Sequence, residues 1–516
     1  MNTPGLFVKN LKNRISPLAG VTFVSAIIIG LLVHMPAFMG DFPNHDGLGS
    51  IYFDQNMITS GRWFLMIACG ISSFYTLPWV SGVLALCYLG IASMLLIDLF
   101  KIKDEVFAVI VSGLIVTFPS FSSTCAYIYT LDGYMMGLML AVLAVWLTDR
   151  LKKGQIWGAV ALAFSMGIYQ AYLPVCALLS FYVVAKNFVI KGFNKKSFST
   201  LGRYVFMGAF GGALYYGLLK ILLFIQGKDL DTYQGINDLE SVGHSAGLID
   251  NLKNMYKDFV VFSFKGKIII PNFFVLAALI LIAGCVVVSL FVRFKDLEKK
   301  ALARGLAICA VSVVAVPLLC NMIMLISGNL TYHLVMRYQW VFLLVCLLDM
   351  SLLLLPIKDK KRILMWVLSL GFAVFVFNYG ICDNIGYSNL SKKYERTYAF
   401  CTRLLDRIEQ TPGYTHGVPI AMVGVVGDKE YPESDITGDV TGNMIGLSGE
   451  YLVYTAENYR AFMKNYLGAD LNFVSVEEMG IIYNSEEYIN MPSFPNPGSV
   501  KMVDGVIYVK TENFER

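Results

Sequence analysis

Pro17-Leu18-Ala19-Gly20-Val21-Thr22-Phe23-Val24-Ser25-Ala26-Ile27-Ile28-Ile29-Gly30-Leu31-Leu32-Val33-His34-Met35-Pro36-Ala37 opens almost directly onto Gly40-Asp41-Phe42-Pro43-Asn44-His45-Asp46-Gly47. About 20 mostly apolar residues suffice for a helical membrane span. The first run therefore predicts a helix in the bilayer, and the second places two carboxylates and a histidine at its surface. Charged groups at that depth are costly unless solvated, paired or functional.

The same reading extends along the chain. Hydrophobic residues make up 56% of it and charged residues 15%, with a mean hydropathy of +0.60. These values are far from globular averages and define a polytopic membrane protein. The net charge of +4 arises from loop clusters of Lys and Arg, so the implied partner is lipid rather than nucleic acid. Apolar segments near 17–37, 79–100, 106–122, 134–148, 156–173, 175–190, 204–226, 268–293, 305–327, 338–355 and 363–381 predict about eleven transmembrane helices. No small-residue cleavage site follows the first of them, so it is expected to be retained.

Basic residues fix the expected orientation. Lys9, Lys12 and Arg14 precede the first span, and alternate loops carry Lys101 and Lys103, Arg150 to Lys153, Lys186 to Arg203, Arg293 to Arg304, and Lys358 to Arg362. By the positive-inside rule the amino terminus is cytoplasmic, and an odd number of spans leaves residues 382–516 outside. The expected division is a transmembrane domain over 1–381, with a first outer loop at 38–62, and an extracytoplasmic domain over 382–516. Residues 62–78 are too short for another span if sides are to alternate, and read as a helix lying in the outer interface.

The tail changes character. Periodic polar residues at 391–411 precede an expected buried strand at 420–426, and Gly505-Val506-Ile507-Tyr508-Val509 reads as a final strand. Between them, 438–449 and 492–498 read as loops. A small α/β domain is expected, without a phosphate-binding glycine motif. The ten cysteines include no CxxC pair. Only Cys382 and Cys401 lie beyond the last span, and their pairing depends on geometry.

Most candidate chemistry falls on the expected outer side. Asp41 and Asp46 straddle Pro43 in a loop, and either carboxylate would act as general base on a sugar hydroxyl attacking an anomeric carbon. The structural alternative is a solvated turn. His45 is a further candidate as proton carrier. Arg62 and Arg337, with Lys265 as a third cation, suit the phosphate of a lipid head group, because guanidinium presents two aligned donors. Their structural alternative is snorkelling or an ion pair with a nearby carboxylate such as Asp132. Tyr169, Gln170 and Tyr172 stand at the outer end of the fifth span, where an aromatic belt explains the tyrosines better than Gln170. Gln339 follows Arg337.

Phe42-Pro43-Asn44-His45-Asp46, Gly61-Arg62-Trp63, Tyr127-Ile128-Tyr129-Thr130-Leu131-Asp132-Gly133-Tyr134, Tyr169-Gln170-Ala171-Tyr172 and Met336-Arg337-Tyr338-Gln339 occur in this order among the spans. In that order and spacing the chain resembles the bacterial integral-membrane O-antigen glucosyltransferases, the Gtr type II group built on the GT-C plan. The resemblance implies transfer of glucose or a related sugar from an undecaprenyl-phosphate carrier to a surface polysaccharide on the periplasmic side of the inner membrane. It also implies an acidic catalytic residue in the first outer loop, the place of Asp46 or Asp41, with Asp132, Tyr169, Gln170, Tyr172 and Gln339 near the substrates. A single displacement would invert the anomeric carbon. No cofactor is assigned, and a divalent cation is left open. Asp41 with Asp46 is too small a ligand set to assign a divalent cation. A flippase would instead line a path through the bilayer with polar groups, and a non-catalytic assembly protein would place recognition in the tail.

Overall fold

The computed structural model describes residues 3–6, 15–40, 42–49, 54–72, 75–231, 248–294, 298–326, 332–355, 361–423 and 440–511. Asp41 lies outside them, as do 424–426 of the expected strand.

Helices follow the apolar runs. They are α1 (Pro17–Met39), α2 (Leu65–Cys69), α3 (Pro78–Phe100), α4 (Glu105–Thr117), α5 (Pro119–Cys125), α6 (Leu131–Arg150), α7 (Gly154–Ile168), α8 (Leu173–Lys191) and α9 (Lys195–Gln226). There follow α10 (Leu248–Phe264), α11 (Phe273–Phe294), α12 (Lys299–Cys320), α13 (Gln339–Leu354) and α14 (Lys361–Glu409). Each of the eleven expected segments falls on one of these, with α4 and α5 sharing a segment bent by 44° ahead of Pro119. Among the described residues, eight helices are long and apolar enough to cross a membrane, or nine counting that bent pair. The other two, α7 and α13, have 15 and 16 residues. At 1.5 Å per residue they rise only about 22–24 Å. Pro174 stands in the first turn of α8, after a 3-10 turn over Gln170–Tyr172. A proline is tolerated there because its missing N–H would find no partner in any case.

Two expectations change. Of the helix expected over 62–78, only α2, five residues, is α-helical among the described residues before α3 begins at Pro78, and it is prolonged by a 3-10 turn to Ser72. The Ser72 hydroxyl donates to the Cys69 carbonyl at 2.8 Å and closes that turn locally. The boundary at 381 falls inside α14, which runs unbroken for 49 residues. Cys382 and Cys401 both lie on this one helix, about 28 Å apart along its axis, and their thiols are free.

Beyond α14 a four-stranded sheet has the order β2-β1-β4-β3. Strand β1 (Pro419–Val423) is parallel to β2 (Asn472–Phe473) and to β4 (Val506–Lys510), while β3 (Val500–Val503) pairs antiparallel with β4. Asp504 and Gly505, both with positive φ, form the two-residue turn of that hairpin, the backbone that matches strand twist. Helix α15 (Ala456–Leu467) precedes β2. Its Thr455 hydroxyl accepts from the Asn458 amide at 3.2 Å as the cap.

Candidate active site

The turn carrying Asp46 is set by its own sequence and by the tail. The Asn44 side chain accepts from the Gly47 amide at 2.9 Å, so the chain folds into a 3-10 turn over His45–Gly49. Two asparagines of α15 then grip its carbonyls. Asn458 donates to His45 at 3.3 Å, and Asn465 donates to Leu48 at 2.8 Å and to Gly49 at 3.3 Å. His45 stands edge-on to Tyr454 at 5.3 Å, and its Nε2 lies 3.3 Å from the Asp46 carboxylate. Asp46 keeps 53% of its side chain exposed. Burial lowers the His45 pKa, Asp46 opposes the shift, and the Lys393 ammonium adds to it. Lys393 is itself buried and donates to the Ser448 carbonyl at 2.8 Å.

Arg62 is presented by a second turn. Gly61 adopts φ +78°, and a Cβ there would meet Gln170 Nε2 at 2.3 Å and the Tyr215 hydroxyl at 2.6 Å. Glycine is thus required twice over, by conformation and by space. Gln170 donates to the Ser60 carbonyl at 3.0 Å, and Tyr215 donates to that of Gly61 at 3.2 Å. The sequence leaves Gln170 poorly explained; its role here is to hold the turn before Arg62. The guanidinium donates to the Tyr134 hydroxyl at 3.0 Å and sits 4.8 Å over the Tyr169 ring. Tyr169 in turn stacks on Tyr134 at 4.7 Å. Tyr172 is buried behind them, edge-on to Tyr169 and Tyr338. A Cβ on Gly47, beside Asp46, would lie 3.5 Å from the Tyr129 ring, and Arg62 bonds Tyr134, so the two motifs both meet the segment that carries Tyr129 and Tyr134.

A groove of about 600 Å³ runs along α6 and α7 from Leu147, Leu151 and Trp157 to Phe64 and Phe164. Its lining is apolar, and Phe64 is two residues from Arg62.

Arg337 stands differently. Its fork is taken by Asp258 of α10, with Nη1 and Nη2 at 2.7 and 2.8 Å, and Nε donates to the Tyr332 carbonyl at 3.2 Å. The guanidinium lies 3.8 Å from the Tyr332 ring centre and 4.3 Å from that of Phe262. The ion-pair partner is thus Asp258 and not Asp132. Asp132 is buried in the first turn of α6, with Cys69 and Tyr88 as its electrostatic neighbours. Gln339 is also buried, donating to the Cys320 carbonyl at 2.6 Å, a structural position. Lys265 is exposed just past α10.

Burial and the Arg337 charge lower the His333 pKa, and the Asp46 charge opposes that shift. Among the described residues no three His, Cys, Asp or Glu side chains assemble as a metal-ligand set. Sequence reasoning overlooked Asp258, Asn458 and Asn465. The spacing of Leu248, Leu252, Met255, Phe259 and Phe262 would have revealed an amphipathic helix carrying Asp258. No sequence signal pairs Asn458 with His45, 413 positions away.

An apolar bundle with eight helices long enough to cross a membrane among the described residues defines a polytopic integral membrane protein. The family model for glucosyl transferase GtrII matches residues 35–348, more than half of the chain, and includes Asp46, Arg62, Tyr134 and Tyr169. The chain belongs to that glucosyltransferase family. Neither the curated proteins nor the solved structures provide a match.

Proposed function

We propose that this glucosyltransferase takes its sugar, glucose in the first instance, from a polyprenyl-phosphate carrier and transfers it with inversion to a surface polysaccharide such as O-antigen. The site would face the periplasm of the bacterial inner membrane, in a GT-C-like bundle of about eleven spans with the tail as an extracytoplasmic α/β domain. The observation that carries this reading is the placing of the Asp46 turn against Tyr129 and of Arg62 against Tyr134, with an apolar groove that includes Phe64, two residues from Arg62.

In this mechanism the prenyl chain lies in the groove past Phe64 and Phe164, and its phosphate meets Arg62, with Lys265 as an outlying cation. Asp46 accepts the proton of the acceptor hydroxyl as that oxygen attacks the anomeric carbon. The bond from this carbon to the phosphate oxygen breaks, and polyprenyl phosphate departs with the electron pair. Arg337 is left a structural part, because Asp258 occupies its fork.

A flippase would need polar groups along a continuous path. Three polar groups within the helices are instead bonded to near neighbours. Asp349 accepts from Lys186 and Tyr182, Asp383 accepts from Ser122, and His34 bonds Tyr387 and the Val116 carbonyl. The test is purified full-length protein given polyprenyl-phosphate glucose with and without O-antigen acceptor. Acceptor-dependent release of polyprenyl phosphate supports the reading. Transbilayer movement of the lipid without release would overturn it.

A further inference from the structure

A second cavity, of about 360 Å³, lies between the end of α10, the segment carrying His333 and Arg337, and residues 442–448 of the tail. It sits at the small end of the roughly 300–1,000 Å³ typical of ligand pockets. From the groups that line it, we infer that this cavity is a subsite for one pyranose unit of the acceptor saccharide, distinct from the donor site at Arg62. The inference rests on the transferase reading above and names where its acceptor binds.

Charge decides the class of ligand. The cation in the wall, Arg337, is neutralised by a bidentate bond to Asp258, so the cavity offers no unopposed arginine to a phosphate. Each Asp258 oxygen spends one lone pair on Arg337 and keeps another. The side chain is 25% exposed. Two pinned acceptors side by side match a pair of neighbouring sugar hydroxyls. Asn443 donates to the Gly266 carbonyl at 2.9 Å, which leaves its oxygen to accept a hydroxyl. His333, whose pKa is lowered by burial and Arg337, is neutral near pH 7 and both donates and accepts. The rings of Tyr332 and Phe262 supply apolar surface for the face of a sugar. Position agrees with composition: Ser448 of the cavity wall accepts from Lys393, whose ammonium lies 5.6 Å over the Tyr454 ring against which His45, the neighbour of Asp46, stands.

Two pyranoses are available to such a site, the acceptor's and the donor's own glucosyl group, and kinetics separate them. Asn443 is exposed on the cavity rim, so Asn443→Trp fills the space while leaving the fold intact. Full-length parent and variant are compared in nanodiscs with polyprenyl-phosphate glucose and O-antigen oligosaccharide. The acceptor KM should rise about tenfold or more, with donor KM and donor hydrolysis in the absence of acceptor within about twofold. Saturation-transfer NMR of the oligosaccharide on Asp46→Asn protein, without donor, should show contact that Asn443→Trp removes. An unchanged acceptor KM, or a rise confined to donor KM, overturns the inference while the transferase reading stands. A parent that transfers nothing sinks the underlying reading itself.

Discussion

Asp46 is exposed, whereas its neighbour His45 stands edge-on to Tyr454 with Nε2 3.3 Å from the Asp46 carboxylate. Asp46→Asn keeps the shape and removes the base, so turnover should fall about 10²-fold or more with donor binding retained, read by single-turnover release of polyprenyl phosphate. The two arginines should separate in the same assay. Arg62→Ala should raise donor KM with normal yield of protein, and Lys should restore it only partly. Arg337→Ala leaves Asp258 partly buried without its partner. Its loss should appear in thermal stability, at the low end of the roughly 3–5 kcal/mol seen for broken buried pairs because Asp258 is partly solvated. His45 supplies a pH dependence. Its folded pKa lies below the unfolded value of 6.5, so the folded state binds fewer protons and stability is complete above pH 6.5 and declines as pH falls below it. The drop in Tm from pH 7 to 5 should be smaller in His45→Gln. The turn of Asp46 and the nearness of Arg62 to Tyr169 follow short motifs that the sequence displays beside the spans. The partner of Arg337 was not legible there, because pairing across 79 positions depends on how α10 packs.

Among the elements, the short ones beside the site depart most from sequence reading. Apolar periodicity locates long helices well, and it cannot distinguish five helical residues at α2 from seventeen in a continuous helix. The chain passes from α2 into a 3-10 turn over Gly70–Ser72. The 3-10 turn at His45–Gly49 shows the converse, a local signal completed by remote contacts. Asn44 fixes the turn, and α15 fixes where it sits. Replacing both Asn458 and Asn465 with Ala removes the side-chain grip on three carbonyls, each such bond worth about 1 kcal/mol. Turnover should fall about tenfold with donor KM and far-UV circular dichroism unchanged. Parental turnover in the double variant would make the tail contact incidental to catalysis.

For the whole molecule, loop charges predict which side the site faces, and alkaline phosphatase fused after Arg516 should be active if the tail is outside. An inactive fusion, with active cytoplasmic reporters at the same place, would reverse the proposed topology. The helical bundle was legible because bilayer length and hydropathy constrain each span separately. The division between bundle and tail was not, because α14 continues as one helix while its surface turns from apolar to polar. That helix meets α1 where Asn384 donates to the Val33 carbonyl at 3.2 Å, and it meets the tail where Tyr394 faces Phe462 of α15 at 6.0 Å. With no proline or break along its 49 residues, α14 has no joint at which to absorb a change of angle. Lipid thickness tilts membrane helices, and a tilt of about 10° at residue 381 swings Glu409 by about 7 Å over the intervening rise. The bilayer therefore has leverage over the distance between the tail and the turn of Asp46, and lipid composition becomes a mechanical input to the site.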